Sequence, residues 1–202
     1  MLLAGCAAAG GLLAGRKMSA PPEFNQKVLL EVSDQYQMYQ APRSTYDVAD
    51  LQSFQSQQTF PVLIEAAFRE IFGQVELIHP KQKTDALPED VPAVFEVRIL
   101  DLDYDLYNGG DTYRSEVTIA VYMKSPDLEH LFWQKSFRGS GLVHTGTAQF
   151  SDGRGPQDAL VDAMRDAVDQ MQKALLAAPE VRMQMKDYLE SQAPPQAAPA
   201  KA

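Results

Sequence analysis

The feature that most constrains the fold is a stretch of alternating apolar and polar residues that begins at Ala93. Alternation at every second residue is typical of strands that bury one face. The apolar positions are odd up to Ile99 and even from Leu100 to Leu106, and one continuous strand cannot keep both sets on the same face. We therefore predict a β-bulge near Ile99-Leu100.

The alternation resumes after a turn signal, which indicates an antiparallel sheet. Asn108-Gly109-Gly110-Asp111 predicts a hairpin turn, because Asn and Gly adopt positive φ at little cost. A return strand then runs from Tyr113 to Lys124. We expect a third strand over Leu131 to Val143, interrupted at Gly139-Ser140-Gly141.

Two shorter strands and a helix precede this region. Apolar runs at Lys27–Val32 and Val75–Ile78 predict strands. Thr59-Phe60-Pro61 predicts the start of a helix, because proline at the first helical position loses no needed donor. An apolar stripe follows as far as Phe72, and we expect Gly73 to end the helix.

The helix near the carboxyl end has the clearest pattern. From Leu160 to Leu175 the apolar residues recur at helical spacing and form one narrow stripe. Pro179 ends this helix, and Val181–Leu189 can form a second, shorter one. We therefore predict an α+β fold, with a largely antiparallel sheet and two main helices packed on one face.

The two ends of the chain have a different composition. Residues 1–22 are rich in Ala, Gly and Leu, and we interpret them as the remnant of a lipidation box and a tether. Residues 191–202 contain prolines and no large apolar residue, which favours a disordered tail. Residues 23–190 remain for a single α+β domain.

Leu3-Ala4-Gly5-Cys6 resembles the lipobox of bacterial lipoproteins, in which the cysteine is acylated and becomes the first residue. Only a short segment precedes it, so we expect the true start to lie upstream. The alternatives are the core of a non-lipidated signal and a short membrane-associated stretch. Ala7 in place of Asp resembles an outer-membrane address. Lipidation at Cys6 would anchor the protein to the membrane through its acyl chains.

Composition excludes several classes of function. The 202 residues contain 18 Lys+Arg and 27 Asp+Glu, for a formal net charge of −9. A nucleic-acid partner is not expected, because binding a phosphate backbone requires concentrated positive charge. One cysteine excludes an internal disulfide and a multi-cysteine zinc site, and three scattered histidines predict no metal site.

No motif in the chain predicts catalysis or a cofactor. Asp101, Asp103 and Asp105 have the spacing of a calcium loop, but the glycine and glutamate of that loop are missing. We expect these aspartates to face water. Ser140 lies four residues before His144 on a strand, outside the strand-turn-helix context of a nucleophile elbow. The sequence therefore predicts a protein that is not an enzyme.

Four aromatic residues are candidates for binding a protein partner. Trp133 is either an interface anchor or a buried aromatic of the third strand. Tyr36, Tyr39 and Tyr46 lie in a Gln-rich segment without a clear period, so their rings either cover a sheet edge or contact a partner.

The chain resembles small periplasmic lipoproteins of the YajG type and, more loosely, the α+β modules of curli-secretion proteins and of the TolB amino-terminal domain. The resemblance depends on Leu3–Cys6, on the segment from Phe68 to Val75, and on a β-meander followed by the Leu160–Leu175 helix. It covers about two-thirds of the chain. The resemblance implies a lipid-anchored outer-membrane protein that faces the periplasm. An auxiliary lipoprotein of an ABC-type transporter is a related possibility.

These observations predict a non-enzymatic component of envelope assembly, transport or maintenance that binds a protein partner. The alternative is a module that binds a small or lipidic ligand between sheet and helices. The alternative requires a cavity, for which we expect Phe95, Val97, Val117 and Met164 as lining residues. A protein-binding scaffold should have that space filled and an exposed apolar patch instead.

Overall fold

The computed structural model describes residues 21–33, 49–78, 90–107, 112–144 and 156–193. Five strands and three helices lie within them. The elements are β1 (Phe24–Val32), α1 (Ala49–Ile71), β2 (Phe72–Ile78), β3 (Val94–Tyr107), β4 (Thr112–Lys124), β5 (Leu131–His144), α2 (Pro156–Ala177) and α3 (Pro179–Gln192). None of these helices is both long and apolar enough to cross a membrane.

The strands form one open sheet in the order β2-β1-β3-β4-β5. The long β3–β4 and β4–β5 pairs are antiparallel, and the shorter pairs of β1 with β2 and β3 are parallel. The α+β fold with a largely antiparallel sheet is therefore confirmed. Strands β2 and β5 are the two edges of the sheet.

The predicted bulge and hairpin are both present. Ile99 pairs with Ile119, whereas Asp101 pairs with Thr118, so one extra residue lies in β3 at this point. The extra residue is Leu100, which is 44% exposed. Beyond it Leu102, at an even position, packs against the main core. The hairpin turn lies outside the described residues, but Tyr107 and Thr112 pair on either side of it.

The main core lies between one face of the sheet and the helices. Aromatic rings form its centre: the ring centroid of Phe95 lies 5.1 Å from those of both Phe68 and Phe72. Phe24 on β1 stacks on Phe72 at 5.6 Å. Side chains of α1, α2 and α3 belong to this same core. The two main helices therefore pack on one face of the sheet, as predicted.

Helix α1 begins earlier and ends differently than predicted. It starts at Ala49, so Pro61 lies inside it and not at its first turn. An interior proline removes one backbone hydrogen bond, a cost of about 3 kcal/mol. Burial of Phe60, Leu63 and Ile64 around it offsets this cost.

Gly73 does not end α1, because the helix stops at Ile71 and Gly73 belongs to β2. Its φ is not in the left-handed region that a glycine helix stop uses. A Cβ there would lie 3.1 Å from the Cα and the carbonyl oxygen of Asn25. The glycine therefore permits the close approach of β1.

The opposite face of the sheet is more polar and carries a buried carboxylate. The Glu96 side chain is 3% exposed and accepts hydrogen bonds of 2.6 Å from Arg98 Nε and Lys124 Nζ. Both cations lie over the ring of Tyr122, at 5.4 Å and 5.9 Å from its centroid. The two cations compensate the desolvation of Glu96.

Candidate partner-binding edge

Strand β5 is the candidate site because it is a long edge strand without a neighbour on its outer side in the described sheet. An edge strand presents backbone N–H and C=O groups that can pair with another chain. The predicted interruption at Gly139-Ser140-Gly141 is wrong, because β5 pairs with β4 through all three residues.

The two glycines of β5 instead allow helix α2 to lie directly against the strand. A Cβ on Gly139 would be 2.0 Å from the carbonyl oxygen of Ala163, and one on Gly141 would be 1.9 Å from that of Ala159. No side chain fits in this space, so only glycine permits the observed packing. Alanines at a four-residue spacing on α2 complete the contact.

This close packing brings polar side chains of α2 to the outer edge of β5. Asp166 Oδ2 accepts a hydrogen bond of 3.1 Å from the Ser140 N–H. Gln170 Nε2 donates one of 2.9 Å to the carbonyl oxygen of Arg138, and a second of 3.1 Å to Asp166 Oδ1. The two side chains therefore cap β5 where another strand would pair. We call residues 137–141 the capped half of β5.

The other half, residues 131–136, has no such cap among the described residues, and we call it the open half. Leu131 is 51% exposed, and Phe132 and Trp133 are half-buried against the main core. Lys124 pairs with Leu131 and Met123 with Trp133, so Phe132 is the extra residue of a bulge. Bulges of this kind redirect side chains. The bulge at Phe132 places three large apolar residues next to each other at one end of the edge strand.

Charge also differs between the chain as a whole and β5. The chain has a net charge of −9, yet β5 contains Lys135, Arg138 and no acidic residue. Lys135 is exposed, lies 5.7 Å from the centroid of the Phe137 ring, and forms no ion pair within the described part of the chain. The open half is therefore apolar at one end and positive at the other.

Arg138 of the capped half is held by β4. Glu116 accepts hydrogen bonds from both Arg138 and Arg114. The hydrogen bond from Arg138 is the main reason that the pKa of Glu116 lies below its usual range, and Arg114 acts in the same direction. The capped half thus has its cation paired, in contrast to Lys135.

The turn before β5 brings together three potential metal ligands. Ligand atoms of Asp127, Glu129 and His130 lie within 4.8 Å of one another, and all three residues are exposed. Asp127 accepts hydrogen bonds from the Ser125 hydroxyl and the Glu129 N–H, which lower its pKa. Hydrogen bonds of this kind stabilise a turn, so a structural role in the turn explains the position of Asp127.

Of the predicted site residues, Trp133 is the one that the structure describes. It is half-buried, and its ring centroid lies 6.4 Å from that of Phe137. The residue packs against the main core without being fully buried, and its role as an interface anchor stays a prediction. Cys6, Tyr36, Tyr39 and Tyr46 lie outside the described residues.

The residues considered for chemistry are not brought together. Ser140 and His144 lie four positions apart on one strand, roughly 13 Å at the usual rise. The Ser140 N–H is bonded to Asp166, and His144 Nδ1 lies 3.1 Å from the Thr112 hydroxyl. Asp101 and Asp103 are exposed, as predicted for a solvated row.

The residues expected to line an apolar cavity belong to the packed core. Phe95, Val97, Val117 and Met164 are at most 1% exposed and lie in one continuous cluster. Ring contacts of Phe95 with α1 and β2 fill the space beside it.

Sequence reasoning missed the two capping residues, Asp166 and Gln170. A signal for them was present: glycines two apart on an edge strand, and Ala159, Ala163 and Ala167 at every fourth position of a helix. Such a pattern indicates a helix lying directly on a strand, and polar residues beside that stripe can then reach the strand's edge.

Comparisons with known proteins give similar folds at low sequence identity. No family model matches the chain, and no curated protein matches it. The structure is similar to a minor lipoprotein from Acinetobacter baumannii, with 10% identity, a TM-score of 0.46, and coverage of 78% of this chain and 94% of that one.

Two further solved structures are also similar at low sequence identity. A DUF330 protein from Xanthomonas campestris has 10% identity and a TM-score of 0.44, covering 88% of this chain and 95% of that one. Rare lipoprotein B from Shewanella oneidensis has 12% identity and a TM-score of 0.33, covering 82% and 92%. Bacterial lipoproteins are thus among the similar structures, but at these TM-scores the similarity assigns no function.

Proposed function

We propose that this chain is a lipid-anchored protein of the bacterial outer membrane that faces the periplasm and binds a protein partner without catalysis. The partner serves assembly, transport or maintenance of the cell envelope. Membership of the YajG type is part of the proposal. The Leu3-Ala4-Gly5-Cys6 box supports the anchor.

The observation that carries the binding role is the open half of β5. It combines edge backbone that is unpaired within the described sheet with Leu131, Phe132 and Trp133 at the surface of a tightly packed domain. A partly exposed tryptophan beside other apolar side chains is typical of a binding hot spot. The alternative, a small or lipidic ligand between sheet and helices, is less favoured, because the four side chains expected around it are packed together.

The anchor is tested by metabolic labelling with radioactive palmitate. The chain is expressed behind a complete lipoprotein signal, as wild type and as Cys6→Ser. We expect the wild-type protein to incorporate the label and to fractionate with the outer membrane, and Cys6→Ser to do neither. Equal labelling of the two proteins would contradict the anchor.

The binding role is tested by crosslinking in cells. A photoreactive residue at Gln134, in the open half, should give a discrete adduct with an envelope protein, and one at Asp162 on α2 should not. Tyr36→Ala and Tyr39→Ala should weaken recovery of the adduct, whereas Ser140→Ala and His144→Ala should leave it intact. Turnover of a substrate by the unanchored domain, abolished by Ser140→Ala or His144→Ala, would replace this proposal with an enzyme.

A further inference from the structure

The open half of β5 has backbone groups suited to pairing with a further strand. Residues of an antiparallel strand point their N–H and C=O alternately to either side. Arg138 and Ser140 point theirs to the outer side, where α2 caps them. Gln134 and Ser136 are also at even-numbered positions, and the register between β4 and β5 is unbroken from Trp133 onward. The backbone N–H and C=O groups of Gln134 and Ser136 therefore also point to the outer side. No hydrogen bond from the described residues reaches those groups.

The side chains around this stretch define what kind of strand fits. Leu131, Phe132 and Trp133 offer apolar contacts at one end, and side chains of an added strand alternate between the two faces. Lys135 is exposed and lacks an ion pair among the described residues, and β5 contains no acidic residue. An added strand with acidic side chains therefore complements the positive charge at low cost.

A second copy of the chain complements this edge poorly. Two open halves side by side would place Lys135 of both copies along one short seam without an acidic residue in either strand. Like charges in neighbouring strands are destabilising.

We propose that residues 131–136 bind an extended acidic segment of the partner protein, which adds to the sheet as a sixth strand beside β5. The inference rests on the proposed function and specifies its partner. Backbone pairing at Gln134 and Ser136 supplies affinity, and Lys135 selects acidic over basic segments. The caps on Arg138 and Ser140 limit the added strand to the open half.

The test uses the chain's single tryptophan, Trp133, as the reporter. The full chain is titrated with a soluble peptide of alternating Val and Glu, and in parallel with one of alternating Val and Lys. We expect a saturable change of Trp133 fluorescence with the Val–Glu peptide and binding at least about tenfold weaker with the Val–Lys peptide. Salt should weaken the Val–Glu complex.

Two variants separate strand pairing from simple charge attraction. Gln134→Pro removes an outward N–H while leaving the bonds to β4, and proline is tolerated at such edge positions. It should abolish the fluorescence response without changing the fold. Lys135→Glu should reverse the preference, so that the Val–Lys peptide binds more tightly.

An absent response, equal binding of the two peptides, or unchanged binding by Gln134→Pro would overturn the proposal. A dimer of the wild type that Gln134→Pro dissolves would also overturn it, in favour of pairing between two copies. The proposed function is tested separately: if Gln134→Pro still gives the partner adduct through a crosslinker at Ser136, the chain has a partner but does not bind it by strand addition, and only the present proposal fails. If wild type gives no adduct from either position, the proposed function fails.

Discussion

The two halves of β5 pair with the same neighbour, β4, but they differ on their outer side. In the capped half, Gly139 and Gly141 let α2 approach, and Asp166 and Gln170 then bond the outward groups of Ser140 and Arg138. The open half has no glycine and instead contains the large residues Phe132, Trp133 and Lys135. Side chains of this size keep a helix away from the strand.

The comparison teaches that the size of inward-facing residues on an edge strand decides whether a helix can protect the edge. Glycine brings the helix axis close enough for short polar side chains to cap backbone groups. In the open half no described side chain caps the edge. Proteins commonly protect exposed edges because they promote aggregation. An edge protected over one half only is therefore a candidate binding surface over the other.

The largest effect should come from placing a side chain in the capped half. In Gly139→Ala the new Cβ would collide with the backbone of α2, so the helix must shift. We expect the free energy of unfolding to fall by about 3 kcal/mol, measured by urea denaturation. Ser136→Ala in the open half is the control and should change it by less than about 0.5 kcal/mol. Similar losses in both variants would contradict the contrast between the halves.

The second effect concerns Trp133 in the open half. Trp133→Ala should lower the free energy of unfolding by about 2 kcal/mol, less than for a fully buried tryptophan, because the side chain is only half-buried. Trp133→Phe should recover most of this loss. Thermal unfolding followed by circular dichroism measures both. A neutral Trp133→Ala would mean that the ring contributes nothing to the core beside Phe137.

Removal of one cap should have a smaller effect. Asp166→Ala deprives the Ser140 N–H of its partner, and we expect a loss of about 1 kcal/mol in urea denaturation. Asp162→Ala is the matched control, because Asp162 is exposed, lies one turn earlier on α2 and, within the described residues, pairs with Arg165 and not with β5. Equal effects of the two substitutions would show that Asp166 acts as a general helix charge and not as a cap.

The smallest effect should be a pH dependence at Glu116, which holds Arg138 of the capped half. A carboxyl with a lowered pKa stabilises the fold above its unfolded pKa of about 4.3, and this contribution is lost as the pH falls through the folded value. Glu116→Gln should therefore destabilise the protein by less than about 1 kcal/mol at neutral pH. The difference should shrink below about pH 4. A difference that grows on acidification would contradict the assignment.

The sequence predicted those parts of the fold that depend on local periodicity. The bulge at Leu100 follows from the change of apolar parity, and α2 follows from one stripe of apolar residues. The predicted start of α1 at Thr59–Pro61 was wrong, because Pro61 is tolerated inside a helix when the residues around it are buried. Tertiary burial thus outweighed a local signal.

The candidate site was predicted only in part, because it depends on contacts between distant segments. Trp133 was recognised from its residue type. The role of Gly139 and Gly141 was not, since a glycine pair alone is also consistent with a bend in the strand. Asp166 becomes a cap only because Ala163 lies against Gly139, and that contact joins two elements separated by a long loop.

The most direct test of the half-open edge is amide hydrogen exchange of β5, measured residue by residue by NMR on the full chain. Exchange reports whether an N–H is hydrogen-bonded in the folded state. We predict slow exchange at Ser140, whose N–H is bonded to Asp166. We predict fast exchange at Gln134 and Ser136, whose N–H groups point outward and have no cap from the described part of the chain. Equal protection at Gln134 and Ser140 in the wild type would contradict the division of β5 into a capped and an open half.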